Sequence, residues 1–328
     1  MTQTIDFRTI KTQLMHRQTQ LHRAIDSYPD AGRLVELLGE VDRALDKVHR
    51  GVYGICEICD EPIGDSHMQI DPLLRNCIDH LSEKEQRTLE RDLDLAFEIQ
   101  SGLLPKKDFV TPEWEIAYHY EAAGPVSGDY CDVITPHVQG ESSYFLIGDV
   151  MGKGVAASIL MAHIHASVRS FIPSQFPSHT LIERTNQIFC QGTIPTHFAT
   201  LVAVHGSDDG SLDISNAGHC PPILLQESGV LQIPSNGLPI GLFKTGRYGS
   251  QNIVMNSGDV LVLYTDGITE AWNEHSVQYG EARLIASLMN DLRRSPREII
   301  ARSLADLLSF RNGAARIDDI TMMVIRKR

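Results

Sequence analysis

Basic residues are scarce in this chain. Its 328 residues carry 29 Lys and Arg against 42 Asp and Glu, a formal net charge of −13. Such a balance repels a nucleic-acid backbone or an anionic membrane unless a basic patch is segregated, and no such patch is visible. Long apolar runs are missing too. None approaches the roughly 18 residues that span a bilayer, and the start, Met1-Thr2-Gln3-Thr4-Ile5-Asp6, lacks a basic stretch followed by an apolar core. These absences predict a cytoplasmic protein with neither nucleic acid nor membrane as a direct partner. Cysteine is sparse, at six residues, with Cys131, Cys190 and Cys220 scattered and the other three between positions 56 and 77. That distribution argues against a disulfide framework and for a reducing compartment with one local metal site.

Hydrophobic residues make up 42% of the chain, enough for an ordinary globular core, and domains of roughly 100–200 residues leave room for one large domain and a smaller one. Ile10, Leu14, Leu21 and Ile25 recur at helical spacing before a break at Ser27-Tyr28-Pro29-Asp30-Ala31-Gly32. Leu34, Leu37, Leu38, Val41, Leu45 and Val48 then continue the period, so the two stretches predict a short helical hairpin. A third helix is expected over 81–104, with Leu89, Leu93, Ala96, Phe97, Gln100 and Leu103 on its stripe and Pro105 as its stop. That stripe suits either a lone helix packed on the next domain or a helix paired across a homodimer.

From Trp114 onward the texture is that of short strands, at Trp114–Glu121, Ser143–Ile147, Phe198–Val204, Ser211–Ser215, Ile223–Leu225, Val260–Tyr264 and Ile320–Ile325. Helices are expected at about 154–172, 179–191, 281–290 and 296–309. Strands in clusters with helices between them point to an α+β layered domain. The expected division is 1–80 for a hairpin and Cys-rich finger, 81–105 for a linker helix and 106–328 for the large domain.

Cys56-x-x-Cys59, seventeen intervening residues and Cys77-x-x-His80 form one candidate site. Four soft or borderline ligands at these spacings suit tetrahedral zinc closed by two short loops, with a structural role, since such a module is too small to build its own core. A redox Cys-x-x-Cys is the alternative, in which Cys77 and His80 would be coincidental.

The second candidate is a set of aspartates at turns: Ser127-Gly128-Asp129, Gly148-Asp149-Val150-Met151-Gly152, Tyr264-Thr265-Asp266-Gly267 and Asp318-Asp319-Ile320-Thr321. Gly-Asp and Asp-Gly are ordinary turn formers, so each alone also reads as structural. Their flanks favour function: Tyr144–Ile147 runs into Gly148-Asp149 and Val260–Tyr264 into Thr265-Asp266. A carboxylate at the exit of a buried strand is rigidly aimed, and hard divalent cations want oxygen ligands.

Both regions resemble known families. Val41–Cys59 with Glu61-Pro62-Ile63 resembles the DksA/TraR zinc-finger family, some of whose members enter the secondary channel of RNA polymerase. The chain departs from it with His80 at the usual fourth cysteine and a hairpin too short to reach a deep active site. The aspartate segments, with Phe198-Ala199-Thr200-Leu201, Asn216-Ala217-Gly218-His219-Cys220-Pro221-Pro222, Gly237–Leu242 and Ile268-Thr269-Glu270-Ala271, resemble the SpoIIE/RsbU-like branch of the metal-dependent (PPM) serine/threonine phosphatases. This resemblance runs from about 90 to 328.

The second resemblance implies a β-sandwich flanked by helices with a dinuclear Mn²⁺ or Mg²⁺ centre at one end. Asp149 would bridge the ions, the Val150 carbonyl would bind one, and Asp266 and Asp318 the other. Asp129 would act directly or through water, and Asp319 stands as an alternative to Asp318. Such ions lower the pKa of a water and neutralise phosphoryl oxygens, so Cys131 needs no catalytic role. Ser127, Met151 and Cys220 depart from the commonest residues at their positions without removing a ligand. Lys153 suits either phosphate contact or a solvated surface, and His219 either a proton shuttle or a turn. The implied substrate is a phosphorylated anti-anti-sigma (STAS) protein in partner switching, with the zinc module as regulator. The competing reading is a transcription-associated binding protein acting on RNA polymerase through finger and hairpin.

Overall fold

The computed structural model describes residues 11, 14, 15, 17–22, 25, 32–63, 68, 72–77, 80, 83–106, 108–135, 142–193, 197–314 and 316–328. The chain forms two compact units, Met1–Arg91 and Asp92–Arg328. In the first, the described residues between 11 and 25 are helical and a second helix, α1, spans Gly32–Arg50. The predicted break at 27–31 lies outside the described residues. Leu14, Leu21, Val41, Ala44 and Leu45 bury together with Tyr53, Cys56, Ile63 and Met68, so the helices and the Cys-rich loop share one small core.

Helix α2, Glu83–Leu103, runs across the division between the units rather than ending at it. The second unit contains eleven strands among the described residues. They are β1 (Phe109–Val110), β2 (Trp114–Glu121), β3 (Asp129–Ile134), β4 (Ser143–Val150), β5 (Ala199–Gly206), β6 (Ser211–Ala217), β7 (Ile223–Gln226), β8 (Gly229–Gln232), β9 (Gln251–Val254), β10 (Val260–Tyr264) and β11 (Ile320–Lys327). Helices α3 (Gly154–Phe171) and α4 (Ser178–Gly192) follow β4. A single turn α5 (Asp266–Thr269) follows β10, and α6 (Glu281–Met289) and α7 (Pro296–Arg311) precede β11.

The strands make two antiparallel sheets, ordered β1-β2-β11-β10-β7-β8 and β3-β4-β5-β6-β9. Side-chain alternation sorts each strand between two interiors. Phe145, Ile147, Val202, Val204, Leu261, Leu263, Met323 and Ile325 meet between the sheets. Their neighbours Tyr144, Leu146, Leu201 and Ala203 pack beneath Met161, Ile164 and Val168 of α3 and Leu181, Ile182 and Phe189 of α4. Val260, Val262, Met322 and Val324 pack beneath Leu284 and Leu288 of α6 and Ile299, Ile300 and Leu307 of α7. Strands covered on both faces read as continuous apolar runs, as Val260–Tyr264 does. The result is a four-layer helix–sheet–sheet–helix sandwich, the α+β class expected.

Helix α3 extended through Ser174 meets the length and apolarity of a membrane span, with a mean hydropathy of 1.4. Here its apolar face lies on a sheet. One expectation needs correcting: Asp129 opens strand β3 rather than sitting in a turn, and Asp149 lies inside β4 rather than beyond it.

Candidate active site

Antiparallel register between β3 and β4 sets Asp129 directly opposite Asp149 and Tyr130 opposite Gly148. In the other sheet, β10 and β11 pair from Val260–Arg326 to Tyr264–Met322. The pairing continues one step further, where Thr265 N–H donates to the Thr321 carbonyl (3.0 Å) and Thr321 N–H to Thr265 Oγ1 (3.0 Å). Just past that point stand Asp266, opening α5, and Asp318, ahead of β11. Two hydroxyls stitch the sheets together here: Thr265 Oγ1 (3.0 Å) and Thr321 Oγ1 (2.5 Å) both donate to Asp129 Oδ2.

Two glycines let the backbones approach. A Cβ on Gly267 would lie 1.9 Å from the Asp319 carbonyl, and one on Gly128 would lie 3.1 Å from the Val150 carbonyl. Only hydrogen fits the first position, so Asp266 and Asp318 are brought to one place by close backbone contact.

The carboxylates repel one another. Burial, then the charges of Asp266, Asp318 and Asp319, push Asp149 up to about 7, against a weaker opposing pull from Lys153. Asp266 is raised by burial and by Asp318 and Glu270. Asp129 is raised well above the carboxylate range by burial and by Asp149, although its threonine partners work the other way. Buried acids that raise one another in this way need protons or cations, and their donors are all oxygen, the set that hard divalent ions prefer, although no three of them bring oxygens within 4.8 Å of one another.

The neighbouring acids Asp318 and Asp319 differ in their surroundings. Asp319 is engaged by the loop before β3: Oδ1 accepts from Ala123 N–H (2.6 Å), and Oδ2 from Ser127 Oγ (2.7 Å) and Gly128 N–H (2.9 Å). Asp318 is 40% exposed and pairs with Lys153 Nζ at 3.0 Å. Lys153, itself 56% exposed, also donates to the Ile317 carbonyl, so it stands at the solvent edge of the cluster. His219 is buried, with Nδ1 at 2.7 Å from Thr200 Oγ1 and its backbone N–H donating to Asn216 Oδ1 at 2.8 Å. Burial holds its imidazole neutral, with a pKa of about 4. These contacts describe a turn residue. Cys131 points into the core between the sheets, and burial raises its thiol pKa far above the ordinary value.

Four residues have roles that their local sequence does not show. Thr265 and Thr321 orient Asp129, which strand-end position alone does not reveal. Gln100, expected on the apolar stripe of α2, instead exchanges hydrogen bonds with the Ser127 backbone, its Nε2 donating to the carbonyl (2.7 Å) and its Oε1 accepting from the N–H (2.9 Å). The fourth, Asp132, is fully buried and held by Arg169 through bonds of 2.8 and 2.7 Å.

Residues 139–328 match the family of Stage II sporulation protein E (SpoIIE). The chain belongs to the SpoIIE family. Asp149, Asp266 and Asp318 lie within the matched residues and Asp129 just before them. Among relatives, the chain is 27% identical to Protein IcfG of Synechocystis over 71% of its own length and 41% of IcfG. It is 23% identical to the phosphoserine phosphatase RsbU of Bacillus subtilis over 74% of the chain and 72% of RsbU. The SiaA-PP2C domain of Pseudomonas aeruginosa superposes with a TM-score of 0.64 at 18% identity, covering 74% of this chain and 98% of that domain. The SpoIIE-family unit thus has a PP2C-type fold.

Outside the matched SpoIIE residues, Cys56, Cys59, Cys77 and His80 converge, their ligand atoms all within 4.8 Å of one another. Cys59 Sγ and Cys77 Sγ are 3.8 Å apart, and Cys56 Sγ lies 3.9 Å from His80 Nδ1. Zn–S bonds of about 2.3 Å in a tetrahedron place sulfurs roughly 3.8 Å apart, so the donor set fits that ion. Burial pushes the Cys56 thiol up, but backbone N–H groups of Cys77, Cys59 and Ile58 outweigh it and hold the pKa at about 6. A thiolate is therefore favoured near neutral pH, as zinc ligation requires. Glu57, inside the first Cys pair, is held down at about 2 by Arg75 and by Lys47, the latter at 2.7 Å.

Proposed function

We propose that this chain is a metal-dependent phosphoprotein phosphatase that hydrolyses phosphoserine or phosphothreonine on a regulatory protein. The convergence of Asp149, Asp266 and Asp318 from two sheets, with Asp129 clamped behind them, carries the reading. Asp149, the Val150 carbonyl, Asp266 and Asp318 would together hold two Mn²⁺ or Mg²⁺ ions. Asp129 supports the cluster from its threonine cradle, directly or through water. Bound there, the ions supply charge neutralisation for phosphoryl oxygens and a nucleophilic water at neutral pH. The protein's own part is geometric: Asp319 fixes the loop before β3, and Gly128 and Gly267 allow the close approach that aims the ligands. No cysteine or serine nucleophile takes part.

The substrate we propose is a phosphorylated STAS-type protein of a partner-switching pathway in the cytoplasm; the relationship to the phosphoserine phosphatase RsbU supports the phosphoserine part of that reading. Cys56, Cys59, Cys77 and His80 hold one structural zinc in a DksA/TraR-like finger. That finger regulates the phosphatase, and α2 is the segment through which a homodimer forms. Hydrolysis of p-nitrophenyl phosphate and of a phosphoserine protein with Mn²⁺ tests the core reading. Activity is expected in the unmodified chain and lost in Asp149→Asn; an active Asp149→Asn protein would overturn the dinuclear assignment.

A further inference from the structure

No basic run stands out in the sequence, but the fold gathers arginines at the end of the sandwich far from the carboxylates. Arg293 and Arg294 lie in the turn between α6 and α7, with Arg283 and Arg302 on the helices to either side. Arg326 of β11 reaches the same turn, its Nη2 donating to the Leu292 carbonyl (2.7 Å) and to the Arg294 carbonyl. It stands six residues along β11 from Ile320, which at about 3.3 Å per residue puts the turn roughly 20 Å from the strand end beside Asp318.

Two open grooves meet at this turn. One of about 770 Å³ is lined by Glu227, Met289, Arg293 and Arg294, and one of about 460 Å³ by Arg283, Ser287, Arg302 and Asp306; both reach Asn290 and Asp291. Four arginines and three carboxylates line them, and two of the carboxylates are already committed. Asp291, its side chain 5% exposed, accepts from Arg294 Nε on Oδ1 (2.7 Å) and from Arg302 Nε on Oδ2 (2.8 Å). Asp306 accepts from Arg283 Nε (3.0 Å) and Nη2 (2.9 Å) and from the Tyr279 hydroxyl (2.7 Å). The third, Glu227, is 87% exposed and faces Arg293, itself 93% exposed, at 3.8 Å, a pairing worth little in water.

One buried carboxylate thus carries two guanidinium groups side by side, an excess of positive charge that it does not neutralise. Both groups are fixed through Nε while their side chains stay 45% and 55% exposed. Among the described residues their terminal nitrogens donate no hydrogen bond, and Arg294 Nη1 has only Glu298 at 4.0 Å. A guanidinium anchored in this way is a pre-organised fork for a carboxylate, which it holds through two charge-assisted hydrogen bonds.

We propose that this turn is a docking site for an acidic segment, rich in Asp or Glu, of a partner protein, with Arg294 and Arg302 as paired anchors and Arg293 as an outer contact. Charge complementarity selects the occupant. The chain's net charge of −13 repels an extended polyanion such as a nucleic acid or an anionic bilayer. A short acidic segment laid in the grooves feels chiefly the arginines, because charges beyond about 8 Å are screened at physiological ionic strength. The two grooves run on from Asn290 and Asp291, which gives room for a peptide rather than a single ion.

Fluorescence anisotropy of a labelled peptide of alternating Glu and Ser, titrated with the full chain at low salt, tests the assignment. The peptide should bind and should be released as salt rises. Its counterpart with Gln in place of Glu should bind about tenfold more weakly, as the loss of charged hydrogen bonds predicts. Arg293→Glu, at a side chain that supports no other part of the fold, should weaken binding about fivefold. Arg302→Lys keeps the charge but loses the fork, and should also weaken binding, with thermal melts checking that it stays folded. Lys244→Glu, an exposed position outside the grooves, should leave binding unchanged. Equal affinity for the Glu and Gln peptides, or unchanged affinity in both Arg293→Glu and Arg302→Lys, would overturn the site. Tighter binding of phosphatidylserine vesicles or duplex DNA than of the peptide, lost in Arg293→Glu, would overturn an acidic protein segment as its occupant.

Discussion

Replacing Asp149 by asparagine should stabilise the metal-free protein while destroying its function. Asp149 has a pKa of about 7 in the fold against an ordinary 3.8, because it is buried among Asp266, Asp318 and Asp319. Each tenfold change in proton affinity is worth about 1.4 kcal/mol, so the ionised group costs the fold on the order of 4 kcal/mol. Solvent at the mouth of the site, where Asp318 is 40% exposed, screens part of this, and about 2 kcal/mol is expected to survive. The sign follows from linkage. A carboxylate raised by folding binds its proton more tightly in the native state, so its stabilising contribution is full below the unfolded pKa near 4. It is lost as pH rises toward 7. In thermal melts at pH 8, after dialysis free of exchangeable divalent ions, Asp149→Asn should be the more stable protein, with Tm raised by about 4–8 °C. Its advantage should vanish near pH 4. Adding Mn²⁺ should reverse the order, since a ligand at a hundredfold excess over Kd adds about 2.7 kcal/mol to the protein that binds it. An asparagine variant less stable than the parent without metal at pH 8 would refute the repulsion argument.

Three further outcomes are expected. Asp319→Ala strands the Ala123 and Gly128 N–H donors and the Ser127 hydroxyl, and should cost about 2–4 kcal/mol in denaturant melts as well as weakening Mn²⁺ binding; a loss below about 0.5 kcal/mol would show that the loop is held otherwise. Elemental analysis should find one tightly held zinc per chain, lost in Cys77→Ser together with cooperative unfolding of the first unit; unchanged zinc content would remove Cys77 from the site. Thr321→Val deletes the 2.5 Å hydroxyl contact to Asp129 and should lower phosphatase kcat more than it changes the KM for p-nitrophenyl phosphate, because it disturbs the carboxylates rather than the substrate surface.

Much of the sandwich could be read from the chain because its strands are covered on both faces. Val260–Tyr264 is an unbroken apolar run and Trp114–Glu121 is rich in aromatic and apolar residues, and the expected limits of both match the observed ones. The four helices expected in the large domain fall within two residues of those observed. Strands β8 and β9 were missed because they are short edges rich in polar residues, Gly229–Gln232 and Gln251–Val254. Strand β3 was missed for a different reason. Asp129 and Asp132 break its apolar pattern, and their burial depends on partners 37 to 192 residues away, Arg169, Thr265 and Thr321. The aspartates themselves stand out as Gly-Asp and Asp-Gly at strand ends. What no local pattern could separate is Asp318 from Asp319, since their difference lies in which one the loop before β3 engages.

Metal stoichiometry and turnover measured on the same samples test the dinuclear carboxylate centre most directly. Titration with Mn²⁺, followed by the electron paramagnetic resonance of the free ion, should show two weakly held ions per chain, and phosphoserine release should rise with their occupancy. Asp149→Asn should lose both together. Phosphatase activity in that variant, or full activity with no exchangeable ion bound, would contradict the assignment.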